Sequence, residues 1–200
     1  MVGVLLAIRA GQDELAGILL GLITIKPLAA ALFIGFIVVW GVFNRRWKMI
    51  LWLFIVIVML SAIGLLLIPD WPKQNLREIL RYYPSIKMTS LPEALAELMP
   101  GVGSRIGAVL SILVGVITLV EWVIARKAHF RGFLWAACFT LTASQWIGIP
   151  TDPVNFVVIF PALVLAFSIL VERWRGGGVV VSIITMLLLF IGIWAVYLNN

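Results

Sequence analysis

The chain has 200 residues, of which 63% are hydrophobic and only 12% charged, with a mean hydropathy of +1.14. A soluble domain carries roughly 25% charged residues, so the soluble-enzyme classes are excluded and the bilayer becomes the expected solvent. The net charge of +6 does not indicate a nucleic-acid binder, because the basic residues stand in short clusters between apolar segments, where they orient helices. Cys138 is the only cysteine and lies within an apolar segment, which leaves it a packing role and no disulfide or thiolate metal site.

In chain order, Met1 to Ile8 reads as the inner end of a span, too short at about 12 Å to cross alone. Arg9 to Glu14 is polar, and Leu15 to Ile25 is a short apolar helix ended by Lys26-Pro27. Either that helix and Leu28–Phe43 form one kinked span, or two segments meet at an outer tip; a Lys beside a Pro favours the second, being costly in lipid. Further spans follow at Ile50–Ile68, Ile106–Ile124, Phe133–Ile149, Val154–Val171 and Val179–Leu198. The expected fold is an all-α, polytopic membrane helical bundle. It has about six full spans, a short N-terminal helix and a broken first span, in one transmembrane domain over residues 1–200.

The connections set the orientation. Arg45, Arg46 and Lys48 stand in one, Arg126, Lys127 and Arg131 in a second, and Arg173 and Arg175 in a third. These fall on one side when six spans alternate, and the positive-inside rule makes that side cytoplasmic. The segment 69–105, the turn Pro150 to Pro153 and the C-terminus are then extracytoplasmic, in a multi-pass protein of the plasma membrane. Within 69–105, Trp71, Leu76, Ile79, Leu80 and Tyr83 fall at helical spacing among charges, the mark of an amphipathic helix on the membrane surface. A second helix is predicted over SLPEALAELM, capped by Thr89 or Ser90, with Pro92 in its first turn and Gly101 and Gly103 beyond its end.

No HExxH, P-loop or GxSxG motif is present and the single histidine, His129, sits in a basic loop, so neither a metal nor a cofactor is expected. The ionisable groups on the outer side are the candidates. Lys26 either snorkels to the interface or holds a lipid phosphate as a point charge, and Arg81 and Lys87 are either headgroup contacts or further phosphate ligands. Asp152 is either a turn aspartate between prolines or an acid facing an outer cavity. Glu121 is expected to pair with Arg126, and Gly17-x-x-x-Gly21 offers close helix packing.

The stretch RAGQDELAGILLGLITIKPLAAALFIGFIVVWGVFNRRWK resembles the GT-C glycosyltransferases, in particular glycosyltransferase family 87, the polyprenyl-phosphate-mannose-dependent mannosyltransferase type. There a stretch like GRDRLAG-LLLGLA-x-x-KP, a span and RRRW are typical. MTSLPEALAELMPGVG and TDPVNFVVIFPALVLAF look like the family's outer segment and its late outer turn. The likeness is closest up to Trp71. It implies transfer of a sugar, mannose above all, from a polyprenyl-phosphate donor on the extracytoplasmic face, with an outer-loop aspartate as base. No residue here corresponds to that aspartate, since Asp13 and Glu14 are cytoplasmic by topology. The resemblance therefore implies the C-terminal part of a longer enzyme, or a chain working with a partner subunit. The rival reading is a transporter or flippase with a site at the broken helix near Lys26-Pro27, or a non-catalytic membrane subunit.

Overall fold

A computed structural model describes residues 1–25, 27–82, 91–147, 158–174 and 177–199. Among them the chain is helical throughout: α1 (Val2–Arg9), α2 (Asp13–Ile23), α3 (Pro27–Phe43), α4 (Trp47–Leu67), α5 (Trp71–Tyr82), α6 (Leu91–Leu98), α7 (Gly103–Ala125), α8 (Phe130–Trp146), α9 (Phe160–Arg173) and α10 (Gly178–Asn199). No strand occurs among the described residues. The chain forms two compact units, Met1–Ile159 and Phe160–Asn200. In the second, α9 packs on α10, and a β-carbon at the buried Gly178 would lie 2.8 Å from the Leu170 carbonyl oxygen.

In the first unit, two reversals of the same kind create two hairpins. After α1 the N–H of Gln12 donates to the Ala7 carbonyl and that of Gly11 to the Ile8 carbonyl; after α3, Arg46 donates to Gly41 and Arg45 to Val42. Both are Schellman closures, which need a left-handed residue after the cap. Gly11 supplies it at φ 70°, and Arg45 at φ 55° does so against its own Cβ.

α2 and α4 run parallel and in close contact. Gly17 faces the Met49 carbonyl, Trp52 and Leu53, and Gly21 faces Val56, with so little room that a β-carbon at 21 would lie 2.6 Å from the valine side chain. The Gly-x-x-x-Gly spacing thus builds the α2–α4 interface. α3 lies against α8, whose Phe133 stacks on Phe36 at 5.5 Å between centroids. α7 and α8 form an antiparallel hairpin, bridged where the Trp122 indole N–H donates to Thr140 Oγ1 at 2.9 Å; that hydroxyl donates in turn to the Ala136 carbonyl. Phe33, Phe36, Ile37, Leu20, Met49, Phe133 and Leu141 are fully buried at the centre.

Outside this core the apolar side chains point outward. α4 and α7 are long and apolar enough to cross a membrane, yet only 17% and 11% of their most apolar windows are buried. Apolar area left in water costs roughly 25 cal/mol per Å², so these are surfaces suited to hydrocarbon.

The predicted spans differ from the helices chiefly at their starts. α4, α7 and α8 each begin three residues before the apolar run, taking in Trp47 and Lys48, Gly103 to Arg105, and Phe130 to Gly132. Backbone hydrogen bonding continues through polar flanks, which hydropathy does not register. Gly103 therefore opens α7 and does not merely follow α6; it lies directly against the Leu95 carbonyl, where a side chain would not fit. The expected Glu121–Arg126 pair does not form. Five residues apart, the two side chains leave a helix in different directions, since facing pairs are three or four apart. Arg126 lies over the Phe43 ring instead, 4.8 Å from its centroid. Tyr83, Thr89, Ser90 and the turn Pro150 to Pro153 lie outside the described residues, as do the side chains of Ile79 and Leu80.

Candidate functional site

The two ends of the first unit are chemically distinct. At one end the α1–α2 turn, the α3–α4 turn and the α7–α8 loop come together. Arg46 Nη1 donates to Asp13 Oδ1 at 2.6 Å and to the Ile8 carbonyl at 3.4 Å. Its guanidinium also lies over Trp40, while Arg9 lies over Phe130 and Arg126 over Phe43. Trp40 packs on Phe133 at 4.5 Å and Phe130 on Phe133 at 5.9 Å, so two of these guanidiniums, those of Arg9 and Arg46, cover one continuous aromatic cluster. Each such cation–π contact contributes about 0.5–1 kcal/mol at an exposed position and more when desolvated. Arg45, Lys48 and Lys127 are exposed around them.

At the opposite end α2 and α3 stop short. Gly21 stands beside Val56, and α2 ends at Ile23, whereas α4 continues to Leu67, leaving α2 roughly 14 Å short of α4 at 1.5 Å per residue. α3 starts at Pro27, and Gly35 stands against Trp122, so by the same rise α3 begins roughly 17 Å short of the start of α7 at Gly103. The α2 end closes locally: Thr24 Oγ1 donates to the Gly21 carbonyl at 2.6 Å, and the N–H groups of Thr24 and Ile25 turn back onto Gly21 and Leu22. The break between α2 and α3 therefore falls well inside the length of α4 and α7, and the ends of those two helices stand proud of it.

The predicted site residues divide as follows. Lys26, Lys87 and Asp152 lie outside the described residues; Arg81 lies in α5, with its side chain outside them. Their described neighbours belong to the end away from the arginines: Ile25 and Pro27 flank the α2–α3 break, α5 follows the far end of α4 with Trp71 against Gly64, and Ile147 ends α8. Sequence reasoning missed the arginine–aromatic contacts altogether. A weak signal was available, since each basic connection is bordered by rings (Trp40, Phe43, Trp47 and Phe130), but which cation meets which ring depends on the folded arrangement of separate helices.

The comparisons with known proteins bear on most of the first unit. No curated protein and no solved structure matches the chain. The family model of glycosyltransferase family 87 matches residues 1–145, which takes in α1 to α7 and nearly all of α8. With close to three quarters of its length in that match, the chain belongs to glycosyltransferase family 87.

Proposed function

We propose that this chain forms part of a multi-pass plasma-membrane transferase taking a sugar, mannose in the first instance, from a polyprenyl-phosphate donor on the extracytoplasmic face. The observation that carries the reading is the break between α2 and α3 set roughly 15 Å below the far ends of α4 and α7. A lipid-borne phosphate entering from the bilayer meets helix ends at that depth, on the side away from the arginines. Six spans with the arginine end cytoplasmic put this break, and the C-terminus, toward the outer face.

In such a transfer a carboxylate takes the proton of the acceptor hydroxyl, the oxygen attacks the sugar's anomeric carbon, and the lipid phosphate leaves with the bonding electrons. Cationic groups then stabilise the charge that develops on that phosphate. Lys26 is our first assignment for this contact, with Arg81 and Lys87 as further ligands and Asp152 as a weaker candidate for the carboxylate. No carboxylate matches the family's outer-loop aspartate, so unless Asp152 takes that role the base in this reading is supplied by a partner.

The test is polyprenyl-phosphate affinity for the parent, Lys26→Met and Lys26→Arg. A phosphate contact predicts weaker binding by the Met variant and partial recovery by the Arg variant, because the charge is retained. Equal affinities for all three would overturn the assignment. Net movement of the intact lipid across vesicles, without sugar transfer, would favour the flippase reading.

A further inference from the structure

The arginine end is on the face away from the proposed donor site, and its charges are not balanced. Asp13 is engaged by Arg46, and no carboxylate among the described residues pairs with Arg9, Arg45, Lys48, Arg126 or Lys127. Arg126 stands out among them. Its guanidinium is stacked over Phe43 at 4.8 Å, and its Nε is buried with no hydrogen-bond acceptor. Stacking holds the plane of the fork, and burial of Nε leaves the two terminal amino groups as the donors open to an acceptor from outside.

The surroundings say what kind of acceptor fits. Phe43, under the guanidinium, is 54% exposed, Trp47 is 59% exposed, and Val123 and Ile124, just before Arg126 on α7, are likewise exposed and apolar. Cations directly beside an exposed aliphatic and aromatic surface complement a molecule with a phosphate head and acyl tails. A free phosphate would use the cations alone and leave the apolar surface idle. We propose that this end is a binding site for an anionic phospholipid of the surrounding leaflet. Arg126 is the main phosphate contact, Lys127 stands next to it, and Arg9 on the Phe130 ring is the outlying cation.

The experiment is native mass spectrometry of the purified full chain released from mixed micelles holding equal amounts of phosphatidylglycerol and phosphatidylcholine. The parent should retain phosphatidylglycerol in several-fold preference. A basic residue at a membrane surface strengthens attraction to acidic lipid by about five-fold, so Arg126→Gln should lower the retained phosphatidylglycerol by about that factor or more. Arg126→Lys should fall between the two, since it keeps charge but loses the fork. Lys127 is exposed, so Lys127→Gln tests the same site without risk to folding and should give a smaller loss. Arg105→Gln, at the start of α7 and thus at the opposite end, should change nothing. Equal retention of the two lipids by the parent, unchanged preference in both the Arg126→Gln and Lys127→Gln variants, or removal of the preference by inorganic phosphate at the lipid's own concentration would each overturn the proposal.

Discussion

Arg46 Nη1 stands 2.6 Å from Asp13 Oδ1, and this contact fastens the α3–α4 turn to the first residue of α2. The two side chains are 29% and 23% exposed, so the pair is only partly screened and should contribute somewhat more than a surface ion pair. A double-mutant cycle with Asp13→Asn and Arg46→Gln should give a coupling of about 1 kcal/mol. Arg46→Gln alone should cost more than Asp13→Asn, because it also loses the Ile8 carbonyl and the Trp40 ring. Equal single-variant losses in thermal unfolding would contradict this.

The two Schellman turns permit a matched pair of substitutions. Arg45→Gly removes the steric penalty of a left-handed residue and should stabilise the first unit by about 1 kcal/mol, while Gly11→Ala imposes that penalty and should destabilise by a similar amount. Nothing lies within 4 Å of a β-carbon at 11, so the loss there is conformational and not a clash. Thermal midpoints moving in the same direction would refute the assignment.

Along α2 and α3, glycine replacement should be graded by what the new β-carbon meets. At Gly17 it meets the α4 backbone, which cannot step aside, so Gly17→Ala should cost about 2 kcal/mol or more by overpacking. At Gly21 it meets a valine side chain and should cost less. Gly35→Ala meets only the Trp122 ring at 3.5 Å and should be neutral or slightly stabilising, since alanine is favoured within a helix. Detergent-resistance assays on the three variants give the order directly.

The indole–hydroxyl bridge between α7 and α8 should behave as a buried polar pair. Thr140→Val keeps the shape, strands the Trp122 N–H and should cost about 1–3 kcal/mol; Thr140→Ser keeps the hydroxyl and should retain most of the stability. The discriminating result is the ranking of valine and serine, which packing alone would reverse.

Orientation is open to cysteine labelling. Position 129, in the α7–α8 loop, should react only from the cytoplasmic side, and a tag after Asn200 should be reached only from outside. Labelling of position 129 solely from the outer face would invert the topology, and with it the side assigned to the α2–α3 break.

Much of the helical layout was legible because apolar runs longer than a bilayer's half-thickness leave little choice but a helix. Pro27 and the Arg45-Arg46 pair marked breaks that the structure keeps, and Gly17 and Gly21 marked a real interface. The helix starts lie beyond the apolar runs because the hydrogen-bonded ladder continues through Trp47, Arg105 and Phe130 into the polar flanks. The expected Glu121–Arg126 pair fails because residues five apart do not share a helix face. The contacts of Arg9 with Phe130 and Arg126 with Phe43 join residues on different helices, and no local spacing announces them. Of the proposed site, the residue types are legible in the sequence, and the structure adds how far α2 and α3 stop short of the ends of α4 and α7.

The shortness of α2 has an electrical consequence. Aligned peptide dipoles give a helix about half a negative charge at its last turn and half a positive charge at its first. Where α2 ends and α3 begins, the two opposite poles face each other below the rim of α4 and α7. In sequence Lys26 comes three residues after the negative pole of α2 and directly before the positive pole of α3, so the two helix dipoles largely offset each other there and neither by itself neutralises its charge.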